Sequence, residues 1–113
     1  MATYNVNRAK SVALTAATED IVTLTANKRW IQILNRAGTV SAANTLYVRV
    51  GPNAGPDATP AVTVAADDAL ACVPGVPLYV QWPKMGTDNT STAKVRIIAT
   101  GAVDYTVQAV DLA

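Results

Sequence analysis

The sequence predicts an all-β fold, an antiparallel sandwich or barrel of about eight to ten short strands. Half of the 113 residues are apolar, and this apolar content is rich in Ala and Val and lacks Phe. Short stretches of alternating apolar and polar residues recur along the chain, separated by Gly, Pro, Asn and Asp. No segment keeps a helical period, and only residues 65–71 could form a helical turn. A chain of this length is expected to form one domain.

The first ten residues differ from the remainder. Within residues 1–10 only Tyr4 and Val6 alternate, which indicates an N-terminal arm or an edge strand. Residues 11–113 are then the sandwich domain. The N-terminus has no apolar run, and no run approaches the roughly 20 residues that span a bilayer. We therefore expect no signal peptide, no membrane contact, and synthesis in a reducing compartment.

The best-defined predicted hairpin closes the chain, over residues 94–110. Each of its two strands carries one apolar row, and these rows are Val95, Ile97 and Ala99 on the first strand, and Val103, Tyr105, Val107 and Ala109 on the second. A three-residue loop would place both rows on one face, whereas a two-residue Gly101-Ala102 turn would mix them with polar residues. The three-residue loop leaves Arg96 and Ile98 on the outer face, so Ile98 is expected to be exposed.

A second hairpin is predicted around a two-residue Asn27-Lys28 turn. This turn would pair Leu24 with Ile31 on one face, and Thr25 with Trp30 on the other. Downstream, residues 46–50 alternate as a strand, residues 51–60 form a Pro- and Gly-rich excursion, and residues 62–64 and 70–72 are short strands.

The large aromatic side chains are candidates for a binding face. Alternation in the strand over residues 76–82 places Trp82 in the row of Val76, Leu78 and Val80. Tyr79 then points away from the core, as does Tyr47 in its own strand. Exposed aromatic rings favour binding of a protein partner or stacking of a sugar, with Trp30 as a third candidate ring. Burial of the same rings under a second sheet is an equally good interpretation.

The residues that most enzymes use are missing or poorly placed. The chain has no His, and its single cysteine, Cys72, is interpreted as a small buried hydrophobic residue. The adjacent carboxylates at 19–20 and 67–68 are expected in turns rather than across a cleft. No Gly-rich phosphate loop is present. We therefore predict a protein that is not an enzyme and that has no cofactor.

Metal and nucleic-acid binding are also not predicted. Several loop residues carry oxygen atoms that calcium could use, but their spacing fits no EF-hand and turn formation explains them; they are Asp57, Asp67, Asp68, Asp88 and Asn89. Nine basic and eight acidic residues nearly cancel, which is not the basic surplus of a nucleic-acid-binding domain.

The order of these segments resembles a known group of proteins. The segments are ILNR at 33–36, LYVRVG at 46–51, VAADD at 64–68, VPGV at 73–76 and VRIIATG at 95–101, followed by a Val-rich strand. In this order they resemble the small jelly-roll β-sandwich proteins of tailed-phage virions, and most of all the capsid decoration, or cement, proteins. The resemblance covers about residues 20–110 and carries no invariant functional residue.

The resemblance implies a structural virion protein on the outer surface of the capsid, made in the host cytoplasm. Such a protein stabilises the shell by bridging subunits of the major capsid protein, and is a homo-oligomer, a trimer in preference to a dimer. Candidate contacts to the capsid are Tyr4, Arg8, Lys10, Trp82 and Met85. Candidate subunit contacts are Arg96 and Ile98. The alternative is a carbohydrate- or receptor-binding module of a phage head fibre, collar or tail, which would use Tyr47, Tyr79 or Trp30.

Overall fold

The computed structural model describes residues 3–6, 10–16, 18–25, 29–52, 69–85, 88–89 and 92–110. This part of the chain contains strands, turns and bends but no helix. Its strands are β1 (Thr3–Val6), β2 (Lys10–Ala13), β3 (Asp20–Leu24), β4 (Trp30–Asn35), β5 (Leu46–Pro52), β6 (Leu70–Cys72), β7 (Leu78–Gln81), β8 (Lys84–Met85), β9 (Asp88–Asn89), β10 (Ala93–Ile98) and β11 (Asp104–Val110).

Nine of these strands form two sheets. Sheet A has the order β1-β3-β10-β5-β6, and sheet B has the order β2-β11-β4-β7. From β2 onward the chain changes sheet at every step except from β5 to β6, with the small β8–β9 ribbon inserted between β7 and β10. Two four-stranded sheets connected in this way form a jelly roll. The predicted all-β antiparallel sandwich is therefore confirmed.

Strand β1 is an addition to the eight jelly-roll strands. It lies at the edge of sheet A and pairs in parallel with β3, from Thr3 opposite Ile21 to Val6 opposite Leu24. The other strand pairs in the described residues are antiparallel. The N-terminal segment thus contributes backbone to an edge of the sandwich and leaves the jelly-roll order unchanged.

The core lies between the two sheets. Alternation sends Val95 and Ile97 of sheet A inward, where they meet Ile31 and Ile33 of sheet B, and all four are 0 % exposed. Burial of such side chains contributes roughly 1.5–3 kcal/mol each, so these rows carry much of the stability of the fold.

Both predicted hairpins are wrong. Strand β10 pairs with β3 and β5 in sheet A, whereas β11 pairs with β2 and β4 in sheet B. Strands β3 and β4 are likewise in different sheets. The predicted inward rows are nevertheless correct, because residues such as Ile97 and Tyr105 are both buried. The rows face each other across the core instead of lying side by side, because each connection crosses from one sheet to the other.

Two predicted contact residues are less accessible than expected. Ile98 is only 8 % exposed, although it lies on the outer side of β10, where its pairing places it beside Tyr47 of β5. Trp82 follows β7, and its backbone N–H donates to the carbonyl of Arg29 at 2.9 Å. Its side chain is in the core at 2 % exposure, so it cannot act as the exposed apolar anchor that was predicted.

Candidate binding surfaces

The predicted contacts near the N-terminus and in the β8–β9 ribbon are placed by backbone alone. Tyr4 lies in β1, Lys10 begins β2 opposite Val107, and Met85 lies in β8 opposite Asp88. Arg8 lies outside the described residues. The roles of these four residues as capsid contacts stay predictions.

The outer face of sheet A carries basic side chains at its centre. Lys94 and Arg96 alternate outward on β10, and Arg96 lies opposite Arg49 of β5. All three are partly exposed. With Glu19, which precedes β3, the face has three basic groups and one acidic group. This surface, called the basic face below, is suited to an acidic partner surface.

Arg96 already has a partner within the chain. Its Nη1 donates to Oε1 of Glu19 at 2.7 Å, and the two side chains are only 13 % and 12 % exposed. The Nε of Arg96 is buried without an acceptor. The predicted subunit contact therefore involves a side chain that is mostly covered. Lys94 and Arg49 are the other two basic groups on the same face.

The outer face of sheet B is uncharged along its centre. Strand β4 lies between β11 and β7, and the outward positions of these three strands are aligned by their register. Side chains on this surface, called the amide face below, are aromatic, amide, hydroxyl or aliphatic. They are Trp30, Gln32 and Leu34 on β4, Thr106, Gln108 and Val110 on β11, and Tyr79 and Gln81 on β7. Beyond them, the exposed Asp104 at the start of β11 places one acidic side chain at the end of the same row.

A chain of hydrogen bonds crosses the amide face. The Nε2 of Gln108 donates to the Oε1 of Gln32, and the Nε2 of Gln32 donates to the hydroxyl of Tyr79 at 2.8 Å. One side chain from each of three neighbouring strands takes part. The bonds restrict the rotamers of both amides, and each amide keeps donors and acceptors that the chain of hydrogen bonds does not use.

An open cavity continues the amide face at one end of β4. Its volume is about 220 Å³, and its lining comes from the end of β4 and from the turn before β7. The lining residues are Leu34, Asn35, Arg36, Gly75, Val76 and Pro77. Gly75 has a positive φ of 84°, which side chains rarely adopt, and this conformation reverses the chain at the cavity wall.

The predicted aromatic candidates are divided between the two outer faces. Tyr79 is 42 % exposed on the amide face, and Trp30 is half-buried on the same face. Tyr47 is half-buried on the outer face of sheet A, beside Ile98. Trp30 and Tyr79 can therefore contact one ligand together, whereas Tyr47 cannot join them.

A buried hydrogen bond between polar side chains joins the two sheets through the core. The hydroxyl of Tyr105 in sheet B donates to Oδ2 of Asp20 in sheet A at 2.8 Å, within the core. The neighbouring Glu19 points to the opposite face and pairs with Arg96. The carboxylate pair of residues 19 and 20 is thus divided between two environments and does not converge on a cleft.

Cys72 matches its predicted role as a buried small residue. It is 1 % exposed, and its Sγ lies 3.6 Å from the carbonyl oxygen of Ile33. Burial raises the pKa of its thiol, outweighing hydrogen bonds that lower it. The thiolate that a nucleophile needs is therefore disfavoured. Among the described residues, no group of three or more acidic or Cys side chains is placed to hold a metal ion.

Comparison of the chain with protein-family models, curated proteins and solved structures gives no match. Within the described residues no helix has the length and apolar character needed to cross a membrane.

The amide face is not evident from the sequence. Alternation alone places Gln32 and Gln108 on outer faces, but the two residues are far apart in the chain. Their contact depends on the pairing of β4 with β11. The sequence does not predict this pairing, because its closing residues are expected to form a hairpin in which β11 pairs with β10.

Proposed function

We propose that the protein is a structural virion protein of a tailed bacteriophage that decorates the outer surface of the capsid. In this role it bridges subunits of the major capsid protein and acts as a homo-oligomer, a trimer in preference to a dimer. The observation that supports the proposal most is the jelly-roll strand order, which is the fold that the sequence resemblance implies.

The basic face provides a chemically reasonable surface for attachment. Lys94 and Arg49 are partly exposed on neighbouring strands of a rigid sheet, and they would meet an acidic surface of the capsid. A contact of this kind is individually weak. Repetition over a capsid lattice makes many such contacts effective together, and binding to the assembled shell alone stabilises that shell by mass action.

Purified particles test the proposal directly. We expect the protein to co-purify with capsids at a copy number close to that of the major capsid protein. Particles assembled without it should lose DNA at lower temperature and after milder osmotic shock than decorated particles. If undecorated and decorated particles are equally resistant, the stabilising role is wrong. A copy number far below that of the capsid subunit would instead indicate a fibre, collar or tail component.

A second candidate function is favoured by one specific observation. Trp30 and Tyr79 lie on the same face as two hydrogen-bonded glutamines, and this combination suits recognition of a carbohydrate or receptor. The protein would then be a binding module of a head fibre, collar or tail. Deletion should reduce adsorption to host cells while particles keep their heat resistance. Unchanged adsorption would remove this candidate.

A further inference from the structure

We infer that the amide face is a binding site for a neutral oligosaccharide, which lies along β4 from Trp30 toward the cavity at Leu34. The inference rests on the second candidate function and specifies its ligand class and its site. It is compatible with the capsid role, because the basic face and the amide face are on opposite sides of the sandwich.

The charge of the face selects a neutral ligand. The eight central outward side chains of the amide face include no acidic or basic group. Charge enters at the cavity end, where Arg36 lines the cavity and the exposed Asp104 begins β11, and these two charges are of opposite sign. The interiors of protein–protein interfaces are enriched in Arg as well as in aromatic residues. The eight central residues of this face include three glutamines and no Arg. A neutral polyhydroxylated ligand matches uncharged donors and acceptors without leaving a charge desolvated and unpaired.

The amide chain supplies polar recognition. Gln32 uses one N–H and one lone pair within the chain of hydrogen bonds, so a second N–H and a second lone pair remain. The hydroxyl of Tyr79 accepts from Gln32, so its own proton is available for donation. Because a sugar hydroxyl both donates and accepts, it can bind to these mixed groups. Their positions are fixed before binding, which lowers the entropic cost of association.

The two aromatic residues supply apolar contacts on the same face. In the register, Trp30 is opposite Gln81 and Gln32 is opposite Tyr79, so the aromatic residues are diagonal neighbours on adjacent strands. Diagonal positions are about 7–8 Å apart, within reach of aromatic side chains. The C–H faces of a pyranose ring are apolar, and they bind to aromatic surfaces while the hydroxyl groups extend to the neighbouring amides.

The length of the face indicates an oligosaccharide. Trp30 and Leu34 are four residues apart on one strand, which corresponds to about 13 Å. Leu34 also lines the open cavity of about 220 Å³, whose far wall includes Val76 and Pro77. A ligand that contacts both Trp30 and this cavity is longer than a single sugar ring. A monosaccharide would occupy only one end.

The test uses the purified full-length chain on an array of uncharged and acidic glycans, followed by calorimetry with the strongest ligand. We expect an uncharged oligosaccharide to bind, and its monosaccharide units to bind at least tenfold more weakly. Trp30→Ala and Tyr79→Ala should each weaken binding at least tenfold. Tyr79→Phe keeps the ring but removes the hydroxyl, so it should weaken binding about threefold to tenfold.

Tyr47→Ala is the matched control, because it removes a partly exposed tyrosine from the other outer face. It should leave affinity unchanged. Thermal melting of each variant separates lost binding from lost folding, and Tyr79→Phe remains informative where an Ala variant unfolds.

Three outcomes would overturn the inference. They are no binding to any glycan at millimolar concentration, equal loss in the Tyr47 and Tyr79 variants, and a preference for acidic glycans. If the face instead contacts a second copy of the chain, Tyr79→Ala will lower the sedimentation mass and no glycan will bind. Failure of the broader receptor function is seen separately, as unchanged host adsorption by a particle whose purified protein still binds the glycan.

Discussion

Asn35 is the residue whose side chain joins the two sheets at one end of the sandwich. Its Nδ2 donates to the carbonyl of Asn44 at 2.6 Å and to the carbonyl of Cys72 at 2.9 Å. Its Oδ1 accepts from the backbone N–H of Ala37 at 3.0 Å. The residue is 7 % exposed, so water cannot easily replace these bonds. It therefore links β4 of sheet B to β6 of sheet A and orders the loop that leads to β5.

Replacing Asn35 by Ala is expected to lower the free energy of unfolding by about 2–4 kcal/mol. The change removes three hydrogen bonds and leaves the buried carbonyl of Cys72 without this donor. Urea denaturation measures the loss. Asn44→Ala is the control, because the Asn44 amide bonds to exposed Thr39, and it should cost less than about 1 kcal/mol. Equal losses in the two variants would contradict the special role of Asn35.

Position 101 requires glycine because two backbone segments approach each other closely there. Its N–H donates to the carbonyl of Ala43 at 2.9 Å, and a Cβ at this position would lie 2.8 Å from that same oxygen. Gly101→Ala should therefore lower the free energy of unfolding by about 1–3 kcal/mol, because relieving the clash strains this hydrogen bond. Gly38→Ala has nothing within 4 Å of the added Cβ and should change stability by less than about 0.5 kcal/mol. A thermal melt of both variants checks the difference, which a neutral Gly101→Ala would contradict.

Single-residue exposure was predictable where alternation is regular and less so elsewhere. The inward positions Ile31, Ile97 and Val107 follow from period-two patterning, and all are buried. Ile98 obeys the same pattern yet is covered by its surroundings on the outer face. Alternation gives the side of a sheet that a residue occupies, but not what lies over that side.

At the scale of strands, the sequence predicts which side chains face the core, but it does not predict which strands pair with each other. Residues 25–29 separate β3 from β4, and residues 99–103 separate β10 from β11. Five residues can extend about 17 Å, which exceeds the roughly 10 Å between packed sheets. The same length can also close a hairpin, so the spacing alone does not distinguish a hairpin from a connection that crosses between the sheets. In the structure both connections cross, as most connections between consecutive strands of this jelly roll do.

We expect the jelly roll to stay folded when the N-terminal strand is removed. Among the described residues, β1 pairs with the outer edge of β3 and with no other strand, while β3 keeps its ladder with β10. A chain lacking residues 1–8 should therefore stay folded, with a melting temperature lower by about 5 °C or less. If the arm carries capsid contacts through Tyr4 and Arg8, this chain should bind capsids at least tenfold more weakly.

Circular dichroism and capsid co-sedimentation measure the two effects of the deletion separately. A second chain with Tyr4→Ala and Arg8→Ala keeps the backbone of β1, so it separates the loss of these two side chains from the loss of the strand, and it should bind capsids as weakly as the chain lacking residues 1–8. Unchanged co-sedimentation by both proteins would contradict a role of the arm in attachment. Loss of folding on deletion would show that β1 is a necessary part of the sandwich.

On the scale of the whole molecule, the two outer faces have different chemistry. The basic face of sheet A carries Lys94, Arg49 and the Arg96–Glu19 pair, whereas the amide face of sheet B is uncharged along its centre. The overall charge of +1 hides this difference, because it sums over both faces. If one face binds the capsid, the opposite face is directed away from the shell and stays accessible. This arrangement would let one small domain attach and bind a ligand at the same time.

Charge reversal on the basic face should weaken attachment to the capsid. The double variant Arg49→Glu, Lys94→Glu is expected to bind capsids at least tenfold more weakly, because two attractive charges become repulsive against an acidic surface. Attachment of the unaltered protein should also weaken as salt rises from about 0.05 to 0.5 M, since exposed charges are screened over a shorter distance. Co-sedimentation across this salt range measures both effects. Gln81→Glu is the control, because it adds negative charge to the amide face, and it should leave capsid binding unchanged. Gln81→Glu lowers the net charge by one and the double variant lowers it by four. A loss of binding free energy in Gln81→Glu that is about one quarter of the loss in the double variant would therefore mean that net charge controls attachment and that the basic face does not.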